Sequence, residues 1–227
     1  MAAIRADHPA LTGKTTIFLK SIKQPEDERT ILKSAKSNAK LGGRKEIIEK
    51  GRWKGMVMYQ LLLEERATCP TTCQQWANCY GNNMFLAHRI DHTAKTFFPL
   101  LEKELAELSR KHTQGFVVRL HVLGDFYSKT YVRFWLRMMK RHPLLHLFGY
   151  THRWPEHKDG IGLEIEKLNA AGAFIRFSDR GGLMSANVGA STGPDDIQCP
   201  QEVDKTTSCL TCALCWQTDK PVKFLAH

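Results

Sequence analysis

The seven cysteines of the chain form two separated groups, and this clustering indicates metal binding. The first group has three thiols and the second has four: Cys69, Cys73 and Cys79, then Cys199, Cys209, Cys212 and Cys215. Three thiolates leave one iron of a [4Fe-4S] cluster open, whereas four can close the coordination shell of a metal. The first group therefore predicts a reactive centre, and the second predicts a structural one.

The rest of the composition favours metal over disulfides. The opening segment, MAAIRADHPALTGK, lacks the apolar run of a signal peptide, and no later stretch approaches the roughly 18 apolar residues of a membrane span. We therefore expect a soluble cytoplasmic protein, in a compartment where disulfides are rare. An odd number of cysteines would also leave one thiol unpaired in a fully disulfide-bonded scheme.

A basic segment opens the chain, whose net charge is +10. Residues 1–54 carry 13 Lys and Arg against 6 Asp and Glu. A helix here would place three lysines on one face, followed after a Gly-Gly break by two more cations: Lys33, Lys36 and Lys40, then Arg44 and Lys45. This pattern is typical of an arm that contacts nucleic acid, and equally of a solvated face. No aromatic residue alternates with the lysines to stack on bases, so sequence-specific readout is not supported.

Strand and helix patterns alternate from Trp53 onward. Apolar, β-rich runs predict four strands, at residues 56–63, 116–126, 145–151 and 173–178. Helices are predicted between them, one with Pro99 near its start, one capped by Ser128, and one over residues 161–172. Such alternation predicts an α/β fold with parallel strands and helical crossovers, as an open doubly wound sheet or a partial barrel.

The residues suited to chemistry follow the carboxyl ends of these strands. In both α/β architectures, function gathers at that edge of the sheet. We therefore expect one rim to carry the first cysteine group and the residues that end the next three strands: Gly124 and Asp125, Tyr150 and Thr151, then Ser178 and Asp179. Around this core, residues 1–52 form a basic arm, residues 53–180 the α/β unit, and residues 181–227 a cysteine-rich metal-binding extension.

The order of parts over residues 53–178 resembles the radical S-adenosylmethionine superfamily. In that family a strand is followed by three cysteines that hold a [4Fe-4S] cluster, and S-adenosylmethionine chelates the fourth iron. The resemblance looks closest to small phage and bacterial proteins related to the spore photoproduct lyase branch, through the pair Cys79-Tyr80. The usual spacing is C-x3-C-x2-C, whereas this chain has C-x3-C-x5-C, with the aromatic residue after the last cysteine.

This resemblance implies a partial TIM-type barrel and a radical enzyme. A ferredoxin or flavodoxin would reduce the cluster, an electron would pass into S-adenosylmethionine, and the deoxyadenosyl radical would abstract hydrogen from substrate. Gly124 and Asp125 stand where the family has its Gly-Gly-Glu turn, so they would bind the cofactor together with Thr151. The candidate catalytic residues are Asp125, Tyr150, Arg176 and Ser178. A nucleic acid or nucleotide is the expected substrate.

The second cysteine group is typical of a closed metal site. CLTCALC has the C-x2-C-x2-C spacing of bacterial ferredoxins, and Cys199-Pro200 resembles their remote Cys-Pro ligand, although here it precedes the run. Two C-x2-C pairs would be more usual for zinc, so iron is favoured without excluding zinc. The site would hold the C-terminal tail in place, or serve as an auxiliary cluster.

Two other functions fit the same residues. In one, both cysteine groups are structural and the basic arm gives a non-catalytic nucleic-acid-binding protein. In the other, Asp125 is the general base or nucleophile of a non-radical enzyme that modifies a base or nucleotide, because a carboxylate at the end of a strand suits either role.

Overall fold

The chain forms a mixed α/β fold around one mostly parallel sheet. The computed structural model describes residues 13–189 and 195–225. Its strands are β1 Ile22–Lys23, β2 Lys33–Ser34, β3 Val57–Leu62, β4 Arg89–Ile90, β5 Phe116–Leu123, β6 Leu145–Thr151, β7 Phe174–Ser178, β8 Ser185–Val188, β9 Ile197–Gln198 and β10 Val222–Phe224. Its α-helices are α1 Glu65–Thr68, α2 Phe97–Lys111, α3 Lys129–Arg141, α4 Ile161–Ala170 and α5 Cys209–Cys212.

The main sheet has eight strands in the order β2-β3-β5-β6-β7-β8-β10-β9. Only β2 and β3 pair antiparallel; the other neighbours are parallel. The long helices α2, α3 and α4 connect β3 to β5, β5 to β6 and β6 to β7. The predicted parallel sheet with helical crossovers is therefore confirmed. The sheet does not close on itself, since β2 and β9 lie at its two edges.

Local sequence signals explain where the core elements begin and end. Helix α2 begins two residues before Pro99, whose missing N–H is tolerated in a first turn. The Ser128 hydroxyl caps α3 by accepting a hydrogen bond from the backbone N–H of Tyr131 at 3.1 Å, as predicted. Strand β5 stops at Leu123, because Gly124 turns the chain with a φ of 86°.

The two faces of the sheet are covered differently. All three long helices pack on one face, in a core that contains Leu101, Tyr131 and Ile165. The other face is covered by the segment before β3 and by the C-terminal segment, whose indoles Trp53 and Trp216 stack with ring centroids 5.7 Å apart. The segments that flank the α/β repeat therefore form the second layer of the molecule.

The prediction that the lysines of the basic segment share one helix face is wrong. Lys33 belongs to β2, which pairs with β3, and Lys36 lies in a single 3-10 turn over Ala35–Ser37. Side chains compete with the helical pattern here: the Asn38 carboxamide oxygen accepts the backbone N–H of Leu41 at 2.9 Å. The lysines therefore do not share a helix face. Residues 1–12 of the predicted arm lie outside the described residues.

The C-terminal extension is joined both to the sheet and to the basic segment. Strand β10 inserts between β8 and β9. The backbone N–H groups of Cys209 and Leu210 donate to the carbonyl oxygens of Lys40 and Leu41, at 3.0 and 3.2 Å. Residues 190–194 of the Gly- and Ser-rich connection lie outside the described part of the chain. Across residues 13–189 and 195–225, no helix has the length and apolar character needed to cross a membrane.

Candidate metal and ligand cavity

One large cavity opens at the carboxyl ends of β3, β5, β6 and β7. Its volume is about 1090 Å³. Both cysteine groups line it, together with nearly all the predicted rim residues: Cys69, Cys73, Cys79, Cys199, Cys209, Cys212, Cys215, Gly124, Asp125, Tyr150, Thr151, Ser178 and Asp179. The structure thus brings together two groups of thiols that are 120 residues apart at their nearest members, Cys79 and Cys199.

The first cysteine group lies in a loop built from successive backbone turns. The N–H of Cys69 donates to the carbonyl oxygen of Glu65 at 3.1 Å and ends α1. Between Cys73 and Cys79 the loop is held by Arg66, whose guanidinium lies 4.6 Å from the ring centroid of Trp76. The wide C-x5-C spacing therefore forms an anchored loop.

The buried ion pair of Arg89 and Glu65 holds this loop in place. Arg89 is fully buried, and its Nε and Nη2 donate to the two carboxylate oxygens of Glu65 at 2.7 and 3.0 Å. The same guanidinium donates to the carbonyl oxygens of Gly81, Met84 and Ala87 at 3.0–3.1 Å. Arg89 thereby fixes the chain that leaves Cys79. Sequence reasoning missed this pair, because no local pattern links residues 24 positions apart.

The thiols of the first group affect one another electrostatically. Burial raises the pKa of Cys69, and the neighbouring Asp125, Cys79 and Cys73 raise it further. Burial also raises the pKa of Cys73 to about 11. A bound metal cation favours the thiolate instead, so metal loading would remove protons from this loop.

The second group is held by a capped turn of helix. The Ser208 hydroxyl accepts the N–H of Thr211, and the Thr211 hydroxyl accepts the N–H of Ser208, at the start of α5. The Tyr150 hydroxyl donates to the sulfur of Cys215 at 3.1 Å, across from the end of β6. Burial, with a smaller contribution from the nearby Cys215, raises the pKa of Cys209 to about 12.

In the described residues, no three His, Cys, Asp or Glu side chains are arranged as a group that could hold one metal ion. A single zinc ion needs its sulfur ligands about 2.3 Å from one centre. A four-iron cluster binds each thiolate through a different iron, so its thiols need not meet at one point. The chemistry of the donors, all thiols, fits iron-sulfur or zinc and does not fit hard cations such as calcium.

Asp125 ties the ends of two neighbouring strands together. Its side chain is 3% exposed, and it accepts hydrogen bonds from the Thr151 hydroxyl at 2.6 Å and the backbone N–H groups of His152 and Phe126 at 2.8 and 2.7 Å. Burial raises the pKa of Asp125 to about 6, although these hydrogen bonds oppose the rise. Both carboxylate oxygens are therefore engaged by the protein, as expected of a positioning residue.

Gly124 allows the close packing that puts Asp125 in place. A Cβ at this position would lie 2.6 Å from the Thr68 hydroxyl oxygen and 2.8 Å from the Cβ of Leu63. The Thr68 hydroxyl itself accepts the backbone N–H of Asp125 at 3.0 Å. A side chain at residue 124 would thus separate β5 from the start of the cysteine loop.

The structure does not bring Arg176 into the cavity. Its guanidinium is fully buried and donates to the carbonyl oxygens of Cys215, Ser185 and Lys220 at 2.8–3.2 Å, and also to that of Thr218. Arg176 therefore fixes the C-terminal segment against the sheet. Ser178 does line the cavity, and its carbonyl oxygen accepts the indole N–H of Trp154 at 2.8 Å.

Comparison with protein-family models identifies the family of this chain. A family model described as gene product 88 matches residues 30–178, more than half of the chain. The chain belongs to the gene product 88 family. No curated protein and no solved structure matches it. The gene product 88 segment contains the first cysteine group and Asp125 but ends before the second group.

The gene product 88 segment also contains the basic residues, most of which are paired with glutamates. Lys33, Lys36, Lys40 and Lys45 form ion pairs with Glu28, Glu46, Glu202 and Glu49 at 2.5–3.8 Å. Three of these lysines line the cavity: Lys33, Lys36 and Lys40. Arg44 and Lys45 are exposed and lie outside the cavity lining. The positive charge of the segment is therefore partly neutralised within the protein.

Proposed function

We propose that this protein is an iron-sulfur enzyme of the radical S-adenosylmethionine type that acts on a nucleic acid or nucleotide. Cys69, Cys73 and Cys79 would hold a [4Fe-4S] cluster with one open iron. The second cysteine group would hold another [4Fe-4S] cluster or a zinc ion. When bound, the reduced cluster and S-adenosylmethionine would supply the one-electron chemistry that turns a substrate into a radical.

One feature carries this proposal: both cysteine groups line a single large cavity. A purely structural metal site is closed by its protein ligands and needs no adjoining space. Small-molecule pockets usually measure about 300–1,000 Å³. A cavity of about 1090 Å³ therefore leaves room for a cofactor and a substrate beside the thiols of Cys69, Cys73 and Cys79.

The arrangement of strands supports a partial TIM-type barrel. The strands β3, β5, β6, β7 and β8 are neighbours in chain order, and the helices α2, α3 and α4 share one face. A doubly wound sheet instead carries helices on both faces. In a barrel, the loops at the carboxyl ends of the strands form the active site, and the first cysteine loop and Asp125 follow the ends of β3 and β5.

The side chains of this protein would bind, orient and shield the reactants. Gly124 permits close approach of the backbone, and Asp125 fixes Thr151 and the backbone of His152 at the cavity wall. The rings of Tyr80 and Tyr150 line the cavity and would help to exclude water from a radical. A small acidic electron donor such as a ferredoxin or flavodoxin would deliver electrons.

Two observations separate this proposal from its alternatives. The hydrogen bonds that occupy both oxygens of Asp125 favour a positioning role over that of a general base. The ion pairs of Lys33, Lys36 and Lys40 weaken the case for a protein that binds nucleic acid through this segment alone. Their place on the cavity lining instead favours recognition of an anionic substrate at its mouth.

The test is the metal and sulfide content of protein purified without oxygen, followed by an assay for cleavage of S-adenosylmethionine to 5′-deoxyadenosine. We expect about eight irons per chain, or about four irons and one zinc. Cys73→Ser should remove the first centre and the cleavage activity, while the matched variant Cys212→Ser should affect the second centre. Zinc without acid-labile sulfide would overturn the proposal.

A further inference from the structure

Arg119 on β5 is a cation on the wall of the cavity. Its side chain is partly buried and lines the same space as both cysteine groups. The guanidinium carbon lies 4.5 Å from the ring centroid of Tyr150 and 5.1 Å from that of Phe148. Two aromatic faces thus hold this arginine in a fixed position.

The guanidinium of Arg119 has unused hydrogen-bond donors. Within the part of the chain that the structure describes, it makes one hydrogen bond, from Nη1 to the carbonyl oxygen of Leu120 at 2.8 Å, whereas a guanidinium has five N–H donors. No carboxylate in residues 13–189 or 195–225 forms an ion pair with it. Two fully buried arginines differ: Arg89 and Arg176, both 0% exposed, each donate to four or more protein oxygens.

Two buried imidazoles that line the same cavity also have unused polar atoms. The Nδ1 atoms of His121 and His152 have no hydrogen-bond partner in the described residues, and these side chains are 3% and 5% exposed. Buried polar atoms are normally paired, so unpaired ones in the lining of a cavity that also holds an unpaired cation point to a polar ligand. The lining of the cavity thus contains the unpaired cation of Arg119 and the unpaired ring nitrogens of His121 and His152.

Arg119 lies on a strand between the elements that carry or contact the two cysteine groups. Strand β5 lies between β3, which leads to the first cysteine loop, and β6, whose Tyr150 bonds Cys215. We propose that Arg119 binds the oxyanion of a ligand, a phosphate or a carboxylate, inside the cavity between the two groups. A guanidinium fork matches both anions with two parallel hydrogen bonds. This site does not depend on which metal the cysteines hold.

The experiment compares ligands that differ only in the anion, using metal-loaded protein and equilibrium dialysis. AMP against adenosine tests for phosphate, and 3-phenylpropionate against 3-phenylpropionamide tests for carboxylate. We expect one anion of these pairs to bind at least about tenfold more tightly than its neutral analogue, because charge-assisted bidentate bonds are strong. Whichever pair shows this preference identifies the anion.

Substitution assigns the preference to Arg119. Arg119→Met should abolish the preference while leaving the affinity for the neutral analogue within about threefold, and Arg119→Lys should keep part of it because the charge remains. The matched control is Arg52→Met, since Arg52 also stacks on an aromatic ring, 4.4 Å from Phe174, but does not line the cavity. Equal binding of each anion and its neutral analogue by the unsubstituted protein, or an anion preference that survives in Arg119→Met, would overturn the proposal.

Metal content measured on the same samples separates this inference from the proposed function. Suppose that the unsubstituted protein shows no anion preference and that Arg119→Met loses metal. Arg119 then only balances the charge of the metal-bound thiolates, and the anion site is refuted. Suppose instead that the protein contains zinc without sulfide, and that it prefers the anion only when Arg119 is present. The anion site then stands, and the proposed radical chemistry is refuted.

Discussion

The buried pair of Arg89 and Glu65 should be the most sensitive point of the cysteine loop. Arg89→Met would leave the Glu65 carboxylate buried, with the Thr16 hydroxyl as its remaining side-chain donor in the described residues, at 3.0 Å. It would also remove the guanidinium donor from three carbonyl oxygens of the loop, at Gly81, Met84 and Ala87. Breaking a buried ion pair by removing one member costs about 3–5 kcal/mol.

This cost is large enough to measure by thermal unfolding and by urea titration. For a chain of this size, each kcal/mol lowers Tm by roughly 2–4 °C, so Arg89→Met should lower Tm by about 6–20 °C. The control is Arg110→Met on the exposed side of α2, where a surface substitution changes stability by about 0.5 kcal/mol or less.

A double variant tests whether the pair itself is responsible. Adding Glu65→Gln to Arg89→Met removes the unpaired buried charge, so the double variant should be more stable than the sum of the two single effects predicts. We also expect Arg89→Met to retain less of the metal proposed at the first group, because the chain after Cys79 loses its anchor. A destabilisation below about 1 kcal/mol, or strictly additive single effects, would refute this account of the loop.

Three further outcomes follow from contacts around the cavity. Gly124→Ala should destabilise the protein by about 1–3 kcal/mol in urea titration, because its Cβ would lie 2.6 Å from the Thr68 hydroxyl oxygen at a φ of 86°. Tyr150→Phe removes the donor to the Cys215 sulfur, so the metal proposed at the second group should be lost faster to a chelator, while the metal proposed at the first group should be kept. Burial lowers the pKa of His121 to about 3, below its unfolded value near 6.5, so unfolding takes up a proton between these limits. Stability should therefore fall as pH falls below about 6.5, and His121→Gln should flatten that dependence in urea titrations at several pH values.

The α/β core could be predicted from sequence because its signals are local. The predicted strand over residues 145–151 has the observed bounds of β6, since a continuous apolar run marks a strand buried on both faces. The position of Ser128 before an amphipathic pattern predicts a helix cap, and its hydroxyl does cap α3. The gathering of Asp125 and the first cysteine group at one rim followed from the rule that parallel strands share an orientation.

The flanking segments could not be predicted because their structure depends on distant partners. The segment around Lys36 has helix-compatible spacing, but pairing of Lys33–Ser34 with Tyr59–Gln60 draws it into the sheet. Strand β10 pairs with β8 and β9 on either side, and a three-residue strand carries no local signal for such an insertion. Arg176 is a candidate catalytic residue by sequence, yet its partners are the carbonyl oxygens of Ser185, Cys215 and Lys220.

The flanking segments explain why a structural role and a functional role for the second cysteine group need not conflict. The backbone bonds from Cys209 and Leu210 to Lys40 and Leu41 tie the tail to the basic segment, and both segments line the cavity. A metal at the second group would therefore hold one wall of the space that the first group faces. Because Tyr150 joins that wall to β6 through Cys215, removing this metal should loosen the wall on which Arg119 is stacked. The second centre would then shape the binding site even if no electron passes through it.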